Sequence, residues 1–320
     1  MLGNLVGLLV LIAFVVLFAW LARRAFRSKR GLIKWVGVVL AGLPTLLLGL
    51  LSVVAVIGLF KVYAPRGGPV PDITVEGTAA QIARGEHLAY AFCASCHSLN
   101  GELPLSGGED VGKASPVPIG SLFPSNLTPG GRLKGWSDGE IFRAVREAVD
   151  RDGRSLLTMS ALSTRNLSDD DLQAVIAYLR SQPAVANEIP ENNPNLLFAI
   201  FLGAGLVPQP APVTGAIAAP PIGATADYGE YIVSYAGCRD CHGADLSGGR
   251  GGLTPAGPNL IAIMPKWTLD EFVTTMRTGV DPTGHRLDPI QMPWKSIGKL
   301  DDVELAALYE YLHGLTPIQK

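Results

Sequence analysis

All four cysteines of the 320-residue chain belong to two Cys-x-x-Cys-His segments, residues 93–97 and 238–242. Two thiols three positions apart share one turn of a helix, so each can form a thioether bond to a vinyl group of one haem. The histidine that follows can then bind the iron from the proximal side. The sequence predicts two haem c groups attached through Cys93, Cys96, Cys238 and Cys241, with His97 and His242 as iron ligands.

Three other uses of paired cysteines fit this pattern less well. Disulfides are permitted in an oxidising compartment, but they would not need a histidine after each pair. A thioredoxin-type motif expects a strand–helix–strand context, whereas these pairs lie in helical sequence interrupted by glycine. A four-cysteine zinc site usually brings its pairs close together in sequence, and about 140 residues separate the pairs here.

The beginning of the chain predicts a helical hairpin in a membrane. The first sixty residues contain six basic and no acidic side chains, and residues 2–22 carry no charge over a length sufficient to span a bilayer. A second apolar stretch covers residues 31–60; Lys34 near its start can reach the membrane surface, and Pro44 is an expected kink. A cleaved signal peptide is the alternative, but no charge precedes the first stretch and the basic cluster follows it. We therefore expect a transmembrane hairpin over residues 1–61.

The basic residues of the hairpin also predict its orientation. They all lie in or beside the short loop at residues 23–34, and positively charged loops stay on the cytoplasmic side of the membrane. Both termini and everything after Phe60 are then expected on the periplasmic side of a bacterial inner membrane. Bacteria attach haem to cysteine on that side, so the expected topology agrees with the cysteine motifs.

The two cysteine segments belong to an internal repeat. The matching elements are Gly85-Glu86 and Gly229-Glu230, Ser106-Gly107-Gly108 and Ser247-Gly248-Gly249, Asn126-Leu127 and Asn259-Leu260, Trp136 and Trp267, Arg146 and Arg277, Gly153 and Gly284, and the closing segments 167–179 and 300–312. In the first closing segment, Ser168 and Asp171 precede apolar residues at helical spacing, which predicts a capped amphipathic helix. One helical module is therefore used twice.

This module resembles the class I cytochrome c family, whose fold is a small set of helices around one haem. The resemblance covers residues 78–183 and 225–315, and it is closest to the cytochrome subunits of membrane-associated periplasmic dehydrogenases. Besides the cysteine motifs, it rests on the Asn-Leu, Gly-Trp-Ser-Asp, Arg-x-Gly and Met-Pro-Trp elements. It implies an all-α chain in which a two-helix transmembrane hairpin is followed by two class I cytochrome c-type domains.

In that family a methionine in the loop before the last helix is the second axial ligand of the iron. The matching positions are Met159 and Met292, and Met292 is followed by Pro293 and Trp294 as the family pattern requires. Met159 is followed by serine, so the first site departs from the pattern. A His/Met pair implies a high reduction potential at each haem.

Other residues of these types receive a different interpretation. Structural roles away from the iron are expected for Met264, Met276, His87, His285 and His313. Trp136, Arg146, Trp267 and Arg277 are candidates for contacts with haem propionates, with core packing and surface charge as competing interpretations.

The remaining segments connect these parts. Residues 62–77, which contain three prolines, are expected to form an extended tether before the first domain at 78–183. Residues 184–224 form a linker rich in Pro, Ala and Gly before the second domain at 225–320. Within the linker, the apolar run at residues 195–207 is too short to span a bilayer. We interpret it as a helix packed between the modules and a partner, with a lipid-contacting interfacial segment or a contact to another subunit as alternatives.

The predicted function is electron transfer rather than catalysis. The chain would relay electrons between a dehydrogenase and the respiratory chain by outer-sphere transfer through two haems. Service in a quinol-oxidising, photosynthetic or terminal-oxidase complex is an alternative, and a two-haem peroxidase, which needs an open iron site, is another. The expected partners are the lipid bilayer, redox proteins and other subunits of a membrane complex, and no nucleic acid.

Overall fold

The computed structural model describes residues 1–65, 67–115, 117–207, 209, 213–249, 251 and 255–316. Residue 66 of the predicted tether, residues 208 and 210–212 of the linker, and residues 250, 252–254 and 317–320 of the second domain lie outside the described residues. One compact unit contains residues 1–66, 110–123 and 191–209, and a second contains residues 67–109, 124–190 and 210–320.

The chain is mostly helical, which confirms the predicted fold class. In chain order its elements are α1 (Leu2–Phe26), α2 (Gly31–Tyr63), α3 (Ala79–Phe92), α4 (Ala94–His97), β1 (Gly120–Ser121), α5 (Asp138–Arg146), α6 (Asp169–Ser181), β2 (Asn193–Pro194), α7 (Leu196–Gly203), α8 (Ala226–Ala236), α9 (Cys238–His242), α10 (Leu260–Ile263), α11 (Leu269–Thr278), α12 (Trp294–Ile297) and α13 (Asp302–His313). Short 3₁₀ turns lie at Val111–Ala114, Met159–Ala161, Ser163–Asn166 and Met264–Lys266.

Helices α1 and α2 form the hairpin of the first unit. Both are long and apolar enough to cross a membrane. Their large apolar side chains are mostly exposed; Leu9 is 64% exposed and Leu46 is 72% exposed. A helix that is apolar on all sides and exposed along its length is typical of a membrane span rather than of a soluble core.

The rest of the first unit comes from two distant parts of the sequence. Strand β1, in the loop between the first cysteine motif and Trp136, pairs antiparallel with β2. Helix α7 follows β2 and packs against α2, where Ala199 meets Gly58 backbone to backbone. The apolar run that was expected to pack between the modules therefore packs against α2 instead.

In the second unit the two repeats adopt the same local architecture. Gly85 in α3 faces the backbone of Ala174 in α6, and Gly229 in α8 faces the backbone of Ala307 in α13. A Cβ at either glycine would collide with the facing carbonyl oxygen, so the repeated glycine permits the first and last helices of each module to pack closely. The prediction of a cap at Ser168 is confirmed, because its side chain accepts a hydrogen bond from the Asp171 amide at 3.1 Å.

Candidate functional site

A cavity of ≈ 450 Å³ lies in the second module. It is lined by the predicted site residues Cys238, Cys241, His242 and Met292, together with Trp267. Phe272, Leu308 and Leu312 add apolar surface to its wall. The cavity therefore combines two thiols, an imidazole and a thioether with an apolar enclosure, which is the set of groups that attaches and ligates a haem c.

A backbone carbonyl fixes the orientation of His242. The Nδ1 atom of His242 lies 2.9 Å from the carbonyl oxygen of Pro258. Because a carbonyl can only accept, Nδ1 carries the proton and Nε2 keeps its lone pair for a metal. Burial lowers the pKa of His242 and so favours this neutral form. Gly257 supports the arrangement, since a Cβ there would lie 2.7 Å from the imidazole Nδ1.

The first module repeats this support at His97. Its Nδ1 atom lies 2.8 Å from the carbonyl oxygen of Ser125, and burial lowers its pKa as well. Ser125 and Pro258 each directly precede the Asn-Leu element of their repeat. The Asn-Leu element of each repeat therefore follows directly after the carbonyl that orients the imidazole.

The Ser-Gly-Gly elements hold the other side of each motif. The amide of Gly107 donates to the carbonyl of His97 at 2.8 Å, and the amide of Gly248 donates to the carbonyl of His242 at 2.8 Å. Gly107 and Gly248 have φ values of 103° and 110°, which favour glycine. The repeated glycines therefore fold the chain back onto the cysteine motif.

The cysteines do not have the character of a thiol redox centre. All four are free of disulfide bonds. Burial raises the pKa of Cys93 and that of Cys238, each to about 12. Reactive thiols of oxidoreductases have lowered pKa values, so these thiols are protonated at neutral pH. The environment disfavours the thioredoxin-type alternative.

The methionines are arranged differently in the two modules. Met292 lines the cavity, and its amide donates to the carbonyl of Asp288 at 2.8 Å. Met264 and Met276 line the same cavity but are 2% and 5% exposed and belong to the hydrophobic core. In the first module, Met159 is partly buried at the start of a 3₁₀ turn.

The four residues predicted to contact propionates lie in different surroundings. Arg146 donates to the carbonyls of Arg165 and Leu167 and pairs with Asp169 at 2.7 Å. Arg277 makes the equivalent contacts with the Gly298 carbonyl and Asp302. Both arginines thus join α5 or α11 to the beginning of the last helix of their module, and their contact with propionates stays a prediction. Trp136 is buried in the core, whereas Trp267 lines the cavity.

Sequence reasoning did not single out the polar residues of the cavity wall. Arg286, Gln291 and His285 lie there. Arg286 and Gln291 have no counterpart of the same type in the first repeat, so the internal alignment gave no signal for them. His285, for which a structural role was expected, donates its backbone amide to the Asp281 side chain at 3.0 Å.

The residues present fit a haem. The two thiols, the oriented imidazole and a methionine face one apolar cavity in the second module. In the first module the same imidazole–carbonyl contact recurs beside Cys93 and Cys96. This fit rests on the donor set and on the space between the donors.

A polar cluster joins the two modules within the second unit. Arg84 of α3 donates to Asp171 of its own module at 2.8 Å and to Glu304 of the other module at 2.7 Å. Nε2 of His87 lies 2.5 Å from Glu304, whose side chain is fully buried. Tyr231 of α8 donates to Asp171 at 2.7 Å.

These contacts follow an approximate two-fold relation between the repeats. His87 and Tyr231 occupy equivalent positions, as do Asp171 and Glu304, so each module's first helix reaches the acidic residue of the other module's last helix. Outside the cluster, Asn166 donates to the Ser234 carbonyl at 2.8 Å. The equivalent Lys299 donates to the Tyr90 carbonyl at 3.2 Å. The modules therefore pack through matching surfaces.

His87, Glu304 and Asp301 bring potential metal-binding atoms within 4.8 Å of one another. Arg84 already contacts Glu304, and His87 is hydrogen bonded to it. A permanent positive charge on the central carboxylate opposes a cation, so this group is an ion-pair cluster.

Comparison with known proteins agrees with the repeat. The family model described as cytochrome c matches residues 82–183 and 226–316. One subunit of the nicotinate dehydrogenase of Pseudomonas putida is 30% identical over 295 residues, covering 82% of this chain and 24% of that protein. The cytochrome c subunit of alcohol dehydrogenase (quinone) of Gluconacetobacter polyoxogenes is 30% identical over 122 residues, covering 34% of this chain and 26% of the relative.

The chain spans about a quarter of the length of these relatives. The two family matches coincide with the two repeats and together cover more than half of the sequence. Each contains a cysteine motif whose histidine is oriented by a backbone carbonyl. The chain belongs to the cytochrome c family.

Proposed function

We propose that this chain is a membrane-anchored cytochrome subunit with two haem c groups, and that it relays electrons from a dehydrogenase to the respiratory chain. The observation that carries the proposal is the repeated site, in which a histidine oriented by a carbonyl follows a pair of cysteines. When bound, the haem iron supplies reversible one-electron transfer.

The residues of the chain have separate tasks in this proposal. Cys93, Cys96, Cys238 and Cys241 attach the two haems, His97 and His242 bind the irons, and Met159 and Met292 complete the ligation. The carbonyls of Ser125 and Pro258 keep each imidazole in the tautomer that binds metal. The apolar wall of the cavity excludes water, which favours the less charged ferrous state and a high reduction potential.

The interface between the modules favours a relay within one chain. Phe92 directly precedes Cys93, and its ring lies 5.2 Å from that of Tyr235, which stands three residues before Cys238. The segments before the two cysteine motifs are thus in contact, and ion pairs hold them together. We infer that electrons pass between the two sites across this interface.

The hairpin provides the anchor in this proposal. We place α1 and α2 in the cytoplasmic membrane, with the basic loop on the cytoplasmic side and both haem modules on the periplasmic side. The names of the relatives include nicotinate dehydrogenase and alcohol dehydrogenase. We therefore propose a dehydrogenase as the electron donor and leave its substrate class open.

Haem content provides the first test. The full chain is produced in a host that attaches haem to periplasmic proteins, purified in detergent, denatured and assayed for haem that stays with the polypeptide. We expect two haems per chain, and one in a variant with Cys238→Ala and Cys241→Ala. Two haems in that variant, or none in the unaltered chain, would contradict the proposed sites.

The second test addresses the partner. The tagged chain is purified from the native membrane in mild detergent, and the accompanying proteins are identified by mass spectrometry. A dehydrogenase that reduces both haems when given its substrate supports the proposal. Recovery of a quinol-oxidising, photosynthetic or terminal-oxidase assembly in place of a dehydrogenase would refute it.

A further inference from the structure

Residues 196–207 contain twelve consecutive residues without a polar side chain. Helix α7 occupies the first eight of them, and the chain then turns at Gly205, whose φ is 75°. Leu206 beyond the turn is 56% exposed. A short helix that is apolar on all sides has no polar face for water, and at about 1.5 Å per residue this one is too short to span a bilayer.

Helix α7 packs against the outer half of α2. A Cβ at Gly58 would meet the carbonyl of Ala199, and a Cβ at Gly203 would meet the carbonyl of Val54. In a helix the Val54 carbonyl lies beside the Gly58 amide and the Ala199 carbonyl beside the Gly203 amide, so both contacts describe one close crossing of α7 and α2 at Gly203 and Gly58. Small residues at such a crossing allow backbone contact and are typical of helix pairs in membranes.

Helix α1 indicates the depth of this contact. Its charge-free stretch runs from Leu2 to Ala22, which corresponds to about 30 Å of helix and matches the hydrocarbon thickness. Leu196, at the beginning of α7, packs against Gly7, several residues inside that stretch. At its other end α7 crosses α2 at Gly58, which lies within the second apolar stretch at residues 31–60.

Three carbonyls at the end of α7 accept hydrogen bonds, which lowers the cost of placing them in lipid. The carbonyls of Ile200, Phe201 and Leu202 accept hydrogen bonds from the amides of residues 204, 206 and 205. Nζ of Lys61 in α2 also donates to the Leu202 carbonyl at 3.1 Å. A positive charge at the carboxyl end of a helix is favourable, and unpaired carbonyls are costly in lipid.

The beginning of α7 is equally well satisfied. The Asn195 side chain accepts from the Phe198 amide at 3.1 Å. Asn4 of α1 is buried, and its side-chain amide donates to the Pro194 carbonyl at 2.8 Å and to the Tyr63 hydroxyl at 3.0 Å.

We propose that α7 is a re-entrant membrane segment, which lies across α2 in the outer leaflet at the level of Gly58 and turns at Gly205. Its partner is the acyl layer of the bilayer, because the partly exposed Ile200 and Phe201 of α7 and the exposed Leu206 after it are all apolar. Lys61 closes the helix end that lies within the membrane. The inference rests on the proposed membrane insertion of α1 and α2.

The test uses spin labels on the full haem-loaded chain in vesicles of phosphatidylcholine and phosphatidylglycerol. Single cysteines are introduced at Leu206→Cys beyond α7, Leu9→Cys on the exposed face of α1, and Ala80→Cys on the exposed surface of α3. For each label, collisions with oxygen, which concentrates in lipid, are compared with collisions with a water-soluble nickel chelate.

We expect the oxygen-to-nickel ratio at Leu206→Cys to equal that at Leu9→Cys and to exceed that at Ala80→Cys several-fold. Ala204→Cys, at an exposed position before the turn, repeats the measurement if the first variant loses haem. A low ratio at residue 206 with a high ratio at residue 9 would overturn the re-entrant segment alone. Low ratios at both positions would instead overturn the membrane anchor on which it rests.

Lys61 gives an independent readout. Lys61→Met removes the donor to the Leu202 carbonyl, and Lys61→Arg keeps a charged donor at the same place. We expect Lys61→Met to lower the oxygen-to-nickel ratio and raise the mobility of a label at residue 206, and Lys61→Arg to preserve both. A label that responds to neither substitution would show that Lys61 does not hold the segment in lipid.

Discussion

The two cytochrome modules share the support of the histidine but differ where they face each other. In both, a carbonyl just before the Asn-Leu element orients the imidazole, and a glycine amide returns to the motif carbonyl. At the interface the first module presents Arg84 and His87, whereas the second presents Tyr228 and Tyr231 at the equivalent positions. A duplicated helix has thus become a cationic surface in one copy and a phenolic surface in the other.

This divergence explains how two similar modules form one defined pair. Asp171 and Glu304 are equivalent, and each would carry an uncompensated buried charge if both first helices had tyrosines at these two positions. Arg84 lies between them and contacts both carboxylates. A pair with arginine in both copies would place like charges together. The unequal modules therefore complement each other, which equal modules could not do.

The methionine loops are the second difference. Met292 is followed by Pro293 and lies on the cavity wall, whereas Met159 begins a 3₁₀ turn that continues through Ala161. Met159 is the single methionine between residues 2 and 263. A methionine ligand supplied by the first module would therefore have to come from that loop.

The largest expected effect comes from removing the methionine ligands. Met292→Ala should lower the midpoint potential of one haem by on the order of 0.1–0.3 V, because axial ligands set haem potentials over a range of about 0.8 V. Met159→Ala should lower the other midpoint. Potentiometric titration of the purified chain measures both. Met276→Leu, in the same cavity, is the matched control and should leave both midpoints in place.

Two results would change this comparison. If Met276→Leu lowers a midpoint and Met292→Ala does not, the ligand of the second haem has been assigned to the wrong methionine. If Met159→Ala changes nothing, the first haem has an open or different sixth position, and turnover of peroxide by the half-reduced protein becomes the next measurement.

The next effect concerns the charges between the modules. Glu304→Gln should destabilise the haem-loaded chain by about 3–5 kcal/mol, because it leaves Arg84 and His87 without their buried partner. Asp171→Asn should cost less, since that side chain is 11% exposed whereas Glu304 is fully buried. Denaturant unfolding in detergent measures the free energy of unfolding. Asp302→Asn, at a carboxylate 91% exposed in the same helix, is the control and should change it little.

A third prediction concerns pH. The hydrogen bond to Glu304 raises the pKa of His87 above 6.5, with burial and Arg84 opposing it and Asp301 adding to it. Burial alone would raise the pKa of Glu304, but the bonds from His87 and Arg84 lower it to about 2. The stabilisation from His87 is therefore complete below pH 6.5 and is lost as the pH rises through its folded pKa. That from Glu304 is present above pH 4.5 and is lost as the pH falls towards 2.

The pair should consequently stabilise the interface most between about pH 4.5 and 6.5. Unfolding free energies measured from about pH 2 to 9 should fall on the alkaline side by about 1.5–3 kcal/mol, which is typical of a hydrogen bond to a charged group. His87→Gln should remove that alkaline decrease and keep the acidic one. An unchanged alkaline decrease in this variant would assign it to another group.

Sequence reasoning could reach the features that depend on local spacing. The thiols and histidines follow from one helical turn, the hairpin from the lengths of two apolar stretches, and the cap at Ser168 from residues three positions apart. The repeat also indicated which helices are equivalent. These predictions need no knowledge of which segments meet in space.

Long-range contacts could not be predicted in the same way. Arg84 and Glu304 are 220 residues apart. Glu304 belongs to the capping box at the start of α13, but a helix cap does not indicate a partner in another module. In the apolar run at 195–207 the side chain of Asn195 is polar, but it bonds the Phe198 amide and the Pro118 carbonyl and does not indicate α2. The packing against α2 depends on the small residues Gly58 and Ala199, whose role appears only when the two helices are paired. Arg286 and Gln291 could not be placed in the cavity wall from the sequence either, because that position also depends on which segments meet in space.

The smallest expected effect tests the two-fold relation itself. Lys299 donates to the carbonyls of Tyr90 and Gly101 and lies 3.6 Å above the Tyr90 ring, whereas the equivalent Asn166 makes a single bond to the Ser234 carbonyl. Lys299→Met should therefore cost about 1–2 kcal/mol of unfolding free energy and Asn166→Ala about 1 kcal/mol. Lys295→Met, at an exposed lysine of α12, is the control and should cost less than either. Equal losses from Lys299→Met and Lys295→Met would mean that Lys299 contributes only surface charge and does not stabilise the interface between the modules.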